Sequence, residues 1–182
     1  MSTVTVAGLL LIAVPLAFNA AFALLAARFD YPDILRQPIA DVLSKFRAGG
    51  TALVLTWWGF ALTALLMVPL VVVLSLAIDD AEPTLLAVAT TVGVLAAFVQ
   101  FLGLVRWPFL VPYLARTDSE PGASVARREA VDVVFQSFNR YLGAAVGEHL
   151  GYLLTGAWST LAGVALSPRP PPRRAGSACS AS

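Results

Sequence analysis

Four long apolar runs separated by short polar stretches set the plan of this chain; they cover residues 4–27, 51–78, 84–105 and 141–166. A helix needs roughly 20 apolar residues to cross a hydrocarbon core of about 30 Å, and each run reaches that length. The first three carry no charged residue, whereas the fourth carries Glu148 and His149 side by side. All four read as membrane-spanning helices. Pro15 and Asn19 predict a bend in the first, because a carbonyl freed by proline needs a partner where water is absent. A cleaved leader fits that run less well, since Met1, Ser2 and Thr3 supply no basic residue ahead of it.

The connections have a pattern of their own. Leu35, Ile39, Val42, Leu43 and Phe46 recur at helical spacing, and Gly49-Gly50 supplies a stop, so the first connection predicts a short helix lying at the membrane surface. "DYPDI" ahead of it reads as a turn fixed by Pro32. In "VRWPFLVPY", Pro108 and Pro112 predict that the third helix ends near Val105, with Arg106 snorkelling and Trp107 anchoring at the interface. Trp57 and Trp58 fit the same aromatic belt. Ser124 is placed to cap a second surface helix, whose apolar face is Val131, Val134, Phe135, Phe138, Tyr141 and Leu142. The expected architecture is an all-α, polytopic transmembrane bundle over residues 1–166, with four spans and two short cytoplasmic interfacial helices.

After Leu166 the composition breaks to "SPRPPPRRAGSACSAS". Such a segment has nothing apolar to pack and reads as a disordered Pro/Arg-rich tail over residues 167–182. It also has the composition of GC-rich codons read out of frame, so a frameshift product is the second expectation.

Charge orients the bundle. The stretch 28–50 holds Arg28, Arg36, Lys45 and Arg47, and the stretch 106–140 holds Arg106, Arg116, Arg127, Arg128 and Arg140, while "DDAEP" between the second and third runs holds acids and no base. The positive-inside rule puts 28–50 and 106–140 in the cytoplasm and the termini outside, in a multi-pass protein of the inner (cytoplasmic) cell membrane. At 182 residues, 58% hydrophobic and 13% charged, the chain has too little polar surface to coat a water-soluble domain, so the lipid bilayer is its expected surrounding. A net charge of +1 without a basic stripe gives no footprint for nucleic acid. One cysteine and one histidine supply neither a disulfide nor a metal set, and "GEHLG" lacks the second histidine of a zinc-binding HExxH; no cofactor and no metal are expected.

The fourth run holds the candidate chemistry. Gly143, Gly147, Gly151, Thr155, Ser159 and Gly163 follow one another at steps of four and are all small. Such a stripe lets a second helix approach backbone to backbone, either within the bundle or across a homo-oligomer seam. Glu148 lies beside that stripe. A carboxylate facing lipid costs a few kcal/mol, so it is expected to face the bundle interior with a partner, for which Arg106, Gln100 and Asn19 are the candidates. Together with His149 these form a candidate intramembrane polar site. It serves either as a knot that fixes helix register or as a proton relay, since an imidazole and a buried carboxyl both titrate near neutrality. No nucleophile accompanies Glu148 to make it a general base, and no catalytic residue is assigned.

Over "FDYPDILRQPIADVLSKFRAGGTALVLTWWGFALTALLMVPL" and "FQSFNRYLGAAVGEHLGYLLTGAW" the chain resembles a family of uncharacterised bacterial multi-pass membrane proteins, of the domain-of-unknown-function type and common in actinobacteria. The resemblance implies a membrane location and a helical bundle. It also implies further spans where this chain turns to "SPRPPP", hence a missing C-terminal part. A non-catalytic interaction or regulatory membrane protein is the leading expectation. A small transporter or proton-coupled component using Glu148 and His149 is the alternative, and an intramembrane enzyme comes third.

Overall fold

In the computed structural model, which describes residues 1–167, the first apolar run is one helix, α1 (Thr3–Phe29). The Ser2 hydroxyl accepts from the Thr5 N–H at its start. Its end is turned by Asp30, which takes a left-handed conformation and donates its backbone N–H to the Leu25 and Ala26 carbonyls. Helix α1 runs unbroken through Pro15, and the Asn19 amide donates to the Pro15 carbonyl at 2.8 Å. A 3₁₀ turn (Asp33–Arg36) leads into α2 (Ile39–Leu65), followed by α3 (Met67–Leu76), α4 (Pro83–Asp118) and α5 (Val125–Phe138). A π-helical segment (Asn139–Leu150) then runs directly into α6 (Gly151–Leu166). The tail expected to be disordered or frameshifted lies, from Pro168 onward, outside the described residues.

The short helix predicted in the first connection exists as the first part of α2. Gly50, at φ 55° and ψ −154°, kinks α2 there, a conformation that only glycine adopts easily, and it separates the surface stretch from the span that follows. Val42, Leu43 and Phe46 on the predicted face are buried. The second surface helix is α5, capped as expected by the Ser124 side chain on the Arg127 N–H, with Val131 and Phe135 buried.

Three expected boundaries need correction. The second run is two helices, because Pro69 has no N–H to offer the Leu65 carbonyl and the chain re-starts at Met67 with proline tolerated in the new first turn. Helix α4 does not stop near Val105. It carries Pro108 and Pro112 inside it and continues to Asp118. Each internal proline costs about 3 kcal/mol, but Trp107, Val111 and Leu114 on the same stretch are buried, and burial contributes roughly 1.5–3 kcal/mol per large side chain. Packing therefore outweighs the two breaks. At 36 residues α4 is roughly 54 Å long, so its last turns project beyond a hydrocarbon core. Finally, the fourth run is not one α-helix. Three helical stretches (Thr3–Phe29, Ile39–Leu76 and Pro83–Asp118) are long and apolar enough to cross a membrane, whereas α6 alone has 16 residues and reaches that length only with the π segment. The protein is a helical membrane bundle.

Helix α4 is its hub, packing against α2, α3, α5, α6 and the π segment, while α1 packs on α2 and α3. The main core lies at the end of the bundle where the surface helices sit. Leu25 and Phe29 of α1, Val42, Leu43, Phe46, Trp57 and Phe60 of α2, Trp107, Val111 and Leu114 of α4, and Val131 and Phe135 of α5 meet there. Trp57 and Trp107, expected in the interfacial belt, are 0% exposed and stacked on each other at 4.3 Å and 7°. Phe29 meets both edge-on and Phe135 meets Trp107 edge-on. Such aromatic pairs contribute about 0.5–1.5 kcal/mol each beyond burial. Trp58 is partly exposed beside Phe101 and Phe109, as a belt residue would be. A smaller cluster of Ala7, Leu74 and Ala162 closes the opposite end.

Candidate functional site

The small-residue stripe decides where the last helix sits. An added Cβ on Gly147 would lie 2.8 Å from the Gly103 Cα, and one on Gly103 would lie 2.5 Å from the Gly147 Cα, so the two backbones touch. Gly143 is packed against the Arg106 guanidinium and Gly151 against the Gln100 side chain. Gln100 Nε2 donates to Thr155 Oγ1 at 2.9 Å, and that hydroxyl donates in turn to the Gly151 carbonyl at 2.7 Å. Four members of the stripe thus pack inside the chain, on α4. Ser159 and Gly163 do not follow. They are exposed, and nothing among the described residues lies within 4 Å of a Cβ added to Gly163. The reason is helical pitch. A step of four overshoots an α-helical turn by about 40°, so the stripe drifts off the seam within α6. In the π segment, whose i→i+5 bonding winds more residues into each turn, a step of four drifts the other way, and Gly143, Gly147 and Gly151 all still meet α4. Beyond Thr155 the seam passes to Trp158, which sits against Gly93, and to the buried Ala162 and Ala165.

Arg106 is the polar centre. It is 8% exposed and not snorkelling, with Nη1 donating to the Gly103 carbonyl and Nη2 donating to Asn139 Oδ1 at 2.9 Å. The absence of a Cβ at Gly143 makes room for the guanidinium. Long π segments are rare, and this one places Asn139 and Gly143 on the side facing Arg106.

Beside Arg106 opens a cavity of about 140 Å³. Phe18 and Phe22 of α1, Tyr31 and Phe60 line it. Gln100, Gly103, Leu104 and Arg106 of α4 and Gly143, Gly147, Glu148 and Tyr152 complete the lining. Glu148 and Arg106 attract each other electrostatically across this space, yet no ion pair within 4.0 Å joins them among the described residues. Tyr31, in the turn after α1, is partly buried. Burial pushes its phenol above the ordinary tyrosine range, with Arg106 pulling the other way and Glu148 and Tyr152 adding to the rise.

Of the predicted polar set, the structure brings Glu148, Arg106 and Gln100 to one cavity. His149 is exposed and does not line it, and Asn19 is exposed and bonded to its own helix. Among the described residues no three His, Cys, Asp or Glu side chains converge as a metal would require. Sequence reasoning missed Asn139 and Gly103. Asn139 stands one step of four before Gly143, so extending the stripe backward finds it. On α4 the signal was Ala89, Gly93, Ala96, Gln100 and Gly103, which repeat at alternating steps of four and three and form the complementary face.

Fold and cavity together define the class: a helical integral membrane protein with a polar, aromatic-walled cavity between its first and last helices. The chain belongs to a family with a domain of unknown function, DUF4386, whose model matches residues 6–170. No curated protein and no solved structure matches it.

Proposed function

We propose that this protein is a non-catalytic membrane-embedded binding component, an interaction or regulatory protein whose cavity holds a small polar group. The observation that carries this reading is that Arg106 and Glu148, of opposite charge, stand on different surfaces of one cavity without closing on each other. A structural knot would bring the two groups into contact, whereas here the buried Arg106 and the exposed Glu148 form no ion pair among the described residues. Space held between them suits a ligand. The count of Lys and Arg along the chain supports a cytoplasmic side for 28–50 and 106–140, and hence a cavity near the cytoplasmic interface.

A second reading, a proton-coupled transporter, is favoured by Glu148 lining the cavity, although His149 does not share it. Proton flux in proteoliposomes carrying an internal pH dye tests the choice. The binding reading predicts that an imposed pH gradient decays as slowly as in protein-free vesicles. A faster decay that Glu148→Gln abolishes overturns it in favour of transport.

A further inference from the structure

Resting on the reading of the cavity as a binding site, we infer that its ligand is a compact zwitterion carrying a phosphate and an ammonium group, the chemistry of a phosphoethanolamine head. Three observations converge. First, the Arg106 guanidinium spends one Nη on the Gly103 carbonyl and the other on Asn139, and these two bonds use only part of its five-donor fork. A guanidinium held rigidly in this way suits an oxyanion, which it binds through paired N–H groups. Second, Glu148 lines the same cavity with no hydrogen bond or ion pair among the described residues, and Tyr31, Phe22, Phe18 and Phe60 crowd that space with ring centroids 4.8–6.2 Å apart. A carboxylate beside aromatic faces is the environment that takes an ammonium. Third, Arg106 lies 23 residues along α4 from Pro83, roughly 35 Å up the helix axis, which is where a hydrocarbon core of about 30 Å gives way to head groups. The cavity of about 140 Å³ accommodates a group of this size and not an acyl chain in addition.

A simple anion would meet the Glu148 carboxylate, and a simple amine would meet the Arg106 guanidinium. Only a molecule carrying both charges satisfies both groups. Two sources supply this chemistry: the head group of a phosphatidylethanolamine reaching in from the bilayer, or free phosphoethanolamine from water.

Native mass spectrometry of the full chain, released from nanodiscs containing equal phosphatidylethanolamine and phosphatidylglycerol, tests the inference. The wild type is expected to retain phosphatidylethanolamine over phosphatidylglycerol by about tenfold, the worth of one ammonium held by a carboxylate and aromatic faces. Glu148→Gln, at an exposed side chain that makes no bond, keeps the fold and is expected to bring that ratio to about one. Free phosphoethanolamine that displaces the lipid, or that binds in detergent where the lipid does not, assigns the aqueous source and sustains the inference. Equal retention of both lipids with no binding of free phosphoethanolamine overturns it. A preference for phosphatidylglycerol, or an unchanged ratio in Glu148→Gln, also overturns it. Labelling of Glu148→Cys by a water-soluble thiol reagent separates the two levels: labelling without a zwitterion preference sinks only the ligand assignment, whereas no labelling sinks the cavity reading beneath it.

Discussion

Replacing Gly103 by alanine tests the seam on which the cavity depends. The new Cβ would lie 2.5 Å from the Gly147 Cα, 3.0 Å from the Leu142 carbonyl oxygen and 3.2 Å from the Gly147 nitrogen. All three are backbone atoms, so no side chain can swing aside. Carbon atoms rest at about 3.5–4.0 Å, and the π segment must therefore retreat by roughly 1 Å from α4. That retreat loosens the Arg106 guanidinium from Gly143 and Gln100 from Gly151 at once. Overpacking of this kind costs about 1–3 kcal/mol, offset by up to about 1 kcal/mol because alanine favours a helix over glycine. The expected net loss is about 1 kcal/mol, close to a fivefold fall in the folded-to-unfolded ratio. Gly156→Ala in α6 is the control: nothing among the described residues lies within 4 Å of its new Cβ, so it keeps the propensity gain of up to about 1 kcal/mol. The two variants should move the midpoint of unfolding in opposite directions in a mixed-micelle titration followed by tryptophan fluorescence. Shifts of the same sign and size would refute the claim that α4 and the π segment touch backbone to backbone.

Other consequences follow from the same geometry. Asn139→Ala removes a hydrogen bond to a buried guanidinium and should destabilise by about 1.5–3 kcal/mol in the same titration, while Asn139→Asp, which keeps the acceptor, should retain most of it. Trp107→Ala should cost about 3–5 kcal/mol and abolish the near-UV circular dichroism of the stacked Trp57–Trp107 pair. Trp107→Phe should cost under about 1.5 kcal/mol, because it also removes an indole N–H that has no partner among the described residues. Because the Tyr31 phenol is raised, its neutral form is favoured in the folded state. Its contribution to stability is fully present below the unfolded tyrosine value of about 10 and is lost as pH rises through the folded one. Absorbance titration at alkaline pH should show one of the four tyrosines ionising late, and Tyr31→Phe should delete that component.

The apolar runs made the helices legible, because in lipid the backbone must satisfy itself and length alone selects a spanning element. Gly50, Ser124 and the face of Val42, Leu43 and Phe46 were legible for equally local reasons, a stop, a cap and a 3.6-residue period. What local reasoning missed was decided by packing between distant segments. Pro108 and Pro112 spell a break, yet the helix persists because Trp107 and Val111 are claimed by α2 and α5. Arg106 spells a snorkelling anchor, yet Asn139 and Gly143, more than thirty positions away, hold it in the interior. A step of four in 143–163 spells one straight stripe, yet the overshoot of about 40° per step within α6 carries Ser159 and Gly163 off it. Glu148 and His149 are adjacent in sequence, but the helix turns only the first towards the cavity.

The most direct test of the account is solvent access at position 148. With Cys179, the chain's single cysteine, changed to serine, Glu148→Cys and Leu153→Cys can be exposed in sealed vesicles to a membrane-impermeant thiol reagent. The account predicts rapid labelling at 148 from the side bearing 28–50 and 106–140, and none at Leu153, which sits exposed on the α6 surface in the apolar span. Equal protection of both cysteines, or labelling of 148 only from the opposite side, would contradict a polar cavity that opens beside Arg106.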